Sequence, residues 1–160
     1  MMERIKLNLG IALAFVFVLA GCQSRGPCES APVTEKAPQG EIDQLKQFIE
    51  SNKIDAKADE RGFYYSIQKP GSGAKPTVCS EVSVNYRGEL TNGSSFDSGN
   101  DVRFGLNQLI VGWQEGIPLI APGGSITLYL PPSLAYGSME QPGIPANSIL
   151  VFKIDLLKAN

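Results

Sequence analysis

The stretch LIVGWQEG, residues 109–116, holds Trp113, the only tryptophan of the 160-residue chain. Leu109, Trp113 and Ile117 fall at i, i+4 and i+8, with Ile110 beside the first, which is the spacing of one apolar helix face. Asn107 stands where an N-cap belongs. Pro118 and then Ala121-Pro122-Gly123-Gly124 end the run. The spacing predicts one short helix, kept slim by Gly112 and Gly116. A large aromatic side chain beside small residues suits an ordinary core anchor or the floor of a binding site, and the surrounding sequence has to choose between them.

That surrounding sequence reads as strand. In FYYSIQ (63–68), Phe63, Tyr65 and Ile67 share a face, and Lys69-Pro70-Gly71-Ser72-Gly73 makes a turn. In EVSVNYRGEL (81–90), Val82, Val84 and Tyr86 alternate with Ser83, Asn85 and Arg87, and TNGSS (91–95) closes the strand. SITLYLP (125–131) alternates again. SILVFKIDLL (148–157) carries Leu150, Phe152, Ile154 and Leu156 on one face and Ile149, Val151 and Leu157 on the other, so a central strand covered on both sides is expected. Ile42, Leu45, Phe48 and Ile49 predict a further helix over about 41–51, followed by a connector to residue 61. The fold class is α+β: a mainly antiparallel sheet that curls over one short helix, because two-layer packing has to bury both apolar faces. Trp113 then faces the concave side.

The N-terminal 21 residues read as an export signal. Arg4 and Lys6 precede an apolar run, Leu9 to Ala20, that is short for a membrane span. Leu19-Ala20-Gly21-Cys22 resembles a bacterial lipobox, which implies a lipid on Cys22, although an uncleaved anchor or a plain secretory signal fits the same residues. Gln23 after the cysteine, by analogy with lipoprotein sorting, favours the outer membrane, with the protein on the periplasmic side of the envelope. Residues 22–40 contain three prolines and no aromatic residue, the composition of a flexible tether. Without residues 1–21, Lys plus Arg falls from 14 to 12 and Asp plus Glu from 16 to 15, a net charge near −3. No basic stripe is available for nucleic acid.

The chain has no histidine, which excludes Ser-His and Cys-His nucleophiles, and no CxxC spacing that would suit zinc. Neither a phosphate-cradling GxxxxGK[ST] nor a GxGxxG opening a helix is present. No metal or cofactor is expected. Cys28 and Cys79 can pair in a compartment that permits disulfides or stay as two thiols, and spacing does not decide.

The inward positions collect aromatic residues: Tyr86, Phe96, Phe104, Trp113, Tyr136 and Phe152, with Asp97 among them. Their order is informative. VSVNYRGEL with FDS, then F.L.QLI.GW.EG, PPSLAYG and PGIPANSILVFKIDLL, spread over about residues 62–160, closely resemble the FKBP-type peptidyl-prolyl cis-trans isomerases. The resemblance implies a half-barrel sheet around a short helix and a pocket for proline. By motif, Tyr86, Asp97, Trp113 and Tyr136 take the catalytic positions, Trp113 as the platform under the proline ring. Phe96, Phe104, Leu109, Ile110, Ile144 and Phe152 take the substrate-binding positions, the Ile110 N–H receiving a substrate carbonyl. The partners implied are proline-containing unfolded or exported polypeptides, the membrane through Cys22, and macrolide inhibitors of the tacrolimus kind. The implied function is X–Pro isomerisation that assists folding. The alternative is a chaperone-like binding module with little turnover.

One departure stands out. Only SGNDVR separates Asp97 from Phe104, where many members of the family carry a longer loop, and Arg103 is the candidate partner for Asp97. For the anchor, metabolic palmitate labelling of the full chain is expected to disappear in Cys22→Ser. Label that persists in that variant overturns the lipidation reading.

Overall fold

The computed structural model describes Cys28 and residues 33–160. The expected signal segment, Cys22 and half of the expected tether lie outside the described residues; in the described half Ala37 is buried and Gln39 opens α1, so the tether does not extend to residue 40 as expected. The described chain contains helices α1 (Gln39–Ser51) and α2 (Val111–Gly116) and strands β1 (Lys57–Ala58), β2 (Tyr64–Lys69), β3 (Glu81–Leu90), β4 (Ser95–Gly105), β5 (Ser125–Leu130) and β6 (Leu150–Ala159). The six strands form one antiparallel sheet in the order β1-β2-β5-β6-β3-β4.

The sheet curves because one short helix touches four of its strands. Trp113 on α2 meets Tyr86 of β3, Phe104 of β4 and Phe152 of β6, while Gly112 abuts Leu130 of β5. Four flat strands would span about 14 Å at ~4.8 Å each, too wide for six helical residues to reach. Register shifts at Val84/Tyr86 and Gly88/Glu89 in the β3–β4 pair, and at Ser83/Val84 in the β3–β6 pair, add local twist. The expectation of a sheet curled over a short helix is met.

The core fills the concavity. Val82 and Val84 of β3, Ile126, Leu128 and Leu130 of β5, and Leu150, Phe152, Ile154 and Leu156 of β6 are buried there with Ile117 and Ile120. β6 is central, pairing with both β5 and β3. It is not covered on both sides. Of its outward apolar residues Val151 is buried, but Leu157 is 37% exposed, and Lys153 and Asp155 face solvent.

Other expectations shift in detail. α1 begins at Gln39, two residues before the expected start, and docks on the sheet domain by burying Leu45 and Ile49. Two polar contacts hold its N-terminal end: the Ala37 N–H donates to the Arg61 carbonyl at 2.9 Å, and the Ser133 N–H donates to Glu41 Oε2 at 2.8 Å. α2 starts at Val111 with Ile110 as its N-cap residue and no side-chain cap. Asn107, expected as that cap, lies in a 3-10 turn, Leu106–Gln108, and its amide donates to Cys28 Sγ at 3.7 Å. SGNDVR is not a loop but part of β4. A bulge absorbs the mismatch, with Asp101 at φ 50°, its N–H donating to Asn85 Oδ1 at 2.9 Å, and the Ser83 hydroxyl donating to its carboxylate. Cys28 and Cys79, 51 positions apart in sequence, are joined by a disulfide with Cα atoms 5.6 Å apart.

The fit of α2 against β5 depends on two missing side chains. A Cβ at Gly112 would stand 2.4 Å from both Cδ atoms of Leu130, and one at Gly116 would stand 2.5 Å from Leu128 Cδ1. Both leucines are fully buried. Gly112→Ala and Gly116→Ala are each expected to lose about 1–3 kcal/mol to overpacking, read by chemical denaturation. Unchanged stability in both variants overturns this account of the contact.

Candidate active site

Tyr86, Asp97, Phe104, Leu109, Ile110, Trp113, Tyr136 and Phe152 line one pocket of about 140 Å³. β3 supplies Tyr86, β4 supplies Asp97 and Phe104, and β6 supplies Phe152. The remaining four come from α2, its approach and the segment after β5. The pocket lies where the concave sheet face, α2 and these connections meet. A larger hollow of about 440 Å³ lies across Gln68, Asn85, Arg87, Thr127, Lys153 and Asp155. It runs across the outer face of β2, β5, β6 and β3, away from Trp113, Phe104 and Phe152, and brings none of those three rings together.

Trp113 is set by three rings. Tyr86, Phe104 and Phe152 meet it edge to face, with centroids at 5.3, 6.0 and 5.3 Å and interplanar angles of 80°, 89° and 90°. Such perpendicular pairs add about 0.5–1.5 kcal/mol each beyond area burial, and they fix the ring's orientation. Trp113 is only 4% exposed. Its indole nitrogen is buried without a hydrogen-bond partner among the described residues. The residue therefore offers the pocket an apolar surface.

Polar groups stand at the rim. The Tyr86 O–H donates to Asp97 Oδ2 at 2.8 Å, and the Ser98 N–H donates to Asp97 Oδ1 at 2.8 Å. Burial first, and then the hydrogen bond and charge of Asp97, push the Tyr86 phenol up to about 12. Tyr136 is raised too, by burial and then by the Asp97 charge. Its hydroxyl has no hydrogen-bond partner among the described residues. The Ile110 N–H is likewise unpaired, because Ile110 precedes the first turn of α2 and donates to no carbonyl. Two donors without internal partners thus sit around an apolar cleft.

Most of the expected site residues therefore converge, and two do not. Phe96 packs edge to face behind Phe152, at 5.6 Å and 86°, and does not line the pocket. Ile144 is buried in the core and borders a separate depression with Leu90, Gly143 and Pro145. Arg103 does not pair with Asp97. No ion pair among the described residues includes either. Asp97 lies opposite Gly88 and Arg103 opposite Ser83, six residues along one strand and so roughly 15–20 Å apart.

Sequence reasoning missed two supports. Gln114 Nε2 donates to the Leu109 carbonyl at 2.7 Å and ties the approach segment to α2. Glu115 pairs with Arg61 Nη2 at 3.1 Å, bracing α2 against the turn before β2. Burial raises the Glu115 carboxyl, against the opposing pull of Arg61. Both residues look like ordinary polar positions of a short helix, and no local pattern marks them.

A profile described as FKBP-type peptidyl-prolyl cis-trans isomerase matches residues 73–157, more than half of the chain. The chain belongs to the FKBP-type isomerase family. It is 40% identical over 131 residues to the FKBP-type isomerase FkpA of Aeromonas hydrophila, covering 76% of this chain and 49% of that protein. It is 41% identical over 111 residues to the isomerase Mip of Coxiella burnetii, covering 66% and 48%. The crystal structure of FkpA from Escherichia coli superposes with a TM-score of 0.69 at 37% identity, over 76% of this chain and 60% of that one. A peptidyl-prolyl isomerase structure from Pseudomonas syringae superposes at 0.67 with 28% identity, over 78% of this chain and 98% of that one. The chain spans about half the length of the curated relatives it matches. The FKBP-like architecture expected from the motifs is that of these structures.

The Tyr86–Asp97 contact has a measurable consequence. The raised phenol makes the neutral state the favoured one in the fold. Its contribution to stability is present below the ordinary phenol value near 10 and is lost as pH rises through about 12. Ultraviolet titration is expected to show a late phenol near pH 12 that is absent from Tyr86→Phe. A late phenol that survives this substitution assigns the shift to another tyrosine.

Proposed function

We propose that this chain is a peptidyl-prolyl cis-trans isomerase that accelerates X–Pro rotation in exported polypeptides and so assists their folding. The observation that carries the reading is the aromatic cleft: a Trp113 floor, walls from Tyr86, Phe104 and Phe152, and the unpaired Ile110 N–H at its edge. We assign Tyr86, Asp97, Trp113 and Tyr136 to the reacting amide and Phe104, Leu109, Ile110 and Phe152 to holding the chain. Phe96 supports the Phe152 wall from behind, while Ile144 lies in the core beside a separate depression.

The chemistry asks little of such a site. Amide resonance sets a barrier of roughly 18–20 kcal/mol to rotation about X–Pro. No bond breaks, so no nucleophile, general acid, metal or cofactor is needed. The planar amide is more dipolar than the twisted one and loses more hydration on entering an apolar cleft. The cleft therefore binds the twisted form preferentially, and preferential binding of the transition state is what raises a rate. A proline ring seated on Trp113 and a carbonyl held by the Ile110 N–H would orient the bond that turns. Each ~1.4 kcal/mol of preference yields about tenfold.

The placement we propose is the bacterial envelope: residues 1–21 removed as a signal, Cys22 lipidated, and the domain held on the periplasmic side, at the outer membrane. Among the described residues no helix is long and apolar enough to cross a membrane, so on this reading the lipid supplies the attachment. On this reading the chain after Cys22 links the anchor to the domain, 39–61 form the N-terminal helix and connector, and 62–160 the isomerase domain. A tacrolimus-like macrolide would compete for the same cleft.

The test is a proline-peptide isomerisation assay on the purified chain. Trp113→Ala is expected to lower kcat/KM by more than ~tenfold while the circular dichroism of the fold is retained. A folded wild-type chain that gives no acceleration overturns the enzyme reading in favour of a binding module. An unchanged rate in the variant places Trp113 outside the reacting site.

A further inference from the structure

Cys28 falls within the expected tether, yet it is bonded to the domain beside the cleft. Its disulfide partner, Cys79, directly precedes Ser80, whose carbonyl accepts the Leu106 N–H at 3.0 Å. Cys28 Sγ also accepts from the side-chain amide of Asn107 at 3.7 Å. Asn107 lies three residues after Phe104 and two before Leu109, both of which line the cleft. The point at which the N-terminal chain joins the domain is thus within two or three residues of the cleft wall, about 7–10 Å of extended chain.

We propose that the Cys28–Cys79 disulfide is a short leash that holds the cleft close to the membrane bearing Cys22, so that the preferred substrates are proline-containing polypeptides lying at that membrane surface. The inference rests on the isomerase and lipid-anchor readings above and adds to them where the substrate is found.

The covalent arithmetic separates two states. With the disulfide closed, six residues lead from Cys22 to Cys28, a reach of at most about 20 Å. A domain of this size is roughly 35 Å across, so the cleft side stays in the half nearest the bilayer. With the disulfide open, the nearest following attachment is Ala37, buried and bonded through its N–H to Arg61. Fifteen residues then separate anchor and domain, reaching up to about 50 Å, enough for the domain to turn freely. A membrane-held substrate diffuses laterally in the same bilayer, so the height of the layer the domain explores sets the encounter rate, and going from a reach of about 20 Å to about 50 Å lowers it about two- to threefold. Opening the disulfide needs two electrons and two protons from a dithiol reductant, which leaves two thiols and the oxidised reductant.

The test places the full-length lipidated protein in phosphatidylcholine vesicles and measures isomerisation of one proline peptide in two forms, myristoylated in the same vesicles and free in solution. The readout is the ratio of the two rates. Three changes are each expected to lower it about two- to threefold while leaving the soluble rate unchanged: dithiothreitol, Cys28→Ser with Cys79→Ser, and a nine-residue Gly-Ser insertion after Ser24 with the disulfide intact. If the cysteine variant folds poorly, its soluble rate falls and the insertion decides. A ratio unaltered by the insertion or by reduction overturns the leash. Wild-type protein that fails to sediment with the vesicles overturns the anchor and the leash with it. No acceleration even of the soluble peptide overturns the isomerase reading itself, an outcome distinct from the other two.

Discussion

Everything in this domain turns on the contact between α2 and the sheet around Trp113. Six helical residues have to satisfy four strands at once, and they do so with one very large side chain and two absent ones. Trp113 reaches β3, β4 and β6 through Tyr86, Phe104 and Phe152. Gly112 and Gly116 let the helix backbone settle onto Leu130 and Leu128 of β5. The sheet has to curve to make both sets of contacts, and the curvature makes the concavity that becomes the cleft. Packing and site are therefore one construction: the rings that orient Trp113 are also three of the walls around it.

The polar groups follow the same economy. Perpendicular rings leave the floor apolar, while the irregular backbone before α2 frees the Ile110 N–H, which a longer helix would have absorbed. Gln114 holds that irregular approach to α2, and Glu115 braces α2 itself against Arg61. Asp97 has both oxygens engaged, one by the Tyr86 hydroxyl and one by the Ser98 amide, so the single carboxylate at the cleft is held by neutral donors rather than by a cation. Such a site can grip a planar ring and offer hydrogen bonds to a carbonyl, which suits the rotation proposed above.

How much of this was legible depended on whether the information was local. The strands carrying Val82 to Tyr86, Ile126 to Leu130 and Leu150 to Leu156 announce themselves by alternation, and they were found nearly to the residue. SGNDVR was not, because a polar edge strand with a bulge has no alternating apolar face. β4 is held by its ladder to β3 and by Asn85 and Ser83 reaching Asp101, contacts that only a neighbouring strand can supply. The same limit explains Arg103. Nearness in sequence suggested Asp97, but an extended strand carries the two apart. The sequence leaves the disulfide undecided for the opposite reason: the cysteines lie 51 positions apart, and only folding brings them together.

By itself the sequence determined the secondary structure of the apolar strands, the need to cover one short helix with a sheet, the family through the order of its motifs, and the absence of any histidine-based chemistry. Those are properties of spacing and composition, read one segment at a time. Only the tertiary structure decided which aromatic residues share a cleft, that Phe96 stands behind it and Ile144 borders a separate depression, that β6 is covered on one face and largely open on the other, and that Cys28 is fastened beside the cleft. These depend on which strands become neighbours and how far the sheet bends, and both are settled by side chains meeting across the fold. The physical reason is that burial is a property of the whole packed interior, and a residue's own neighbours in sequence do not specify what will lie against it.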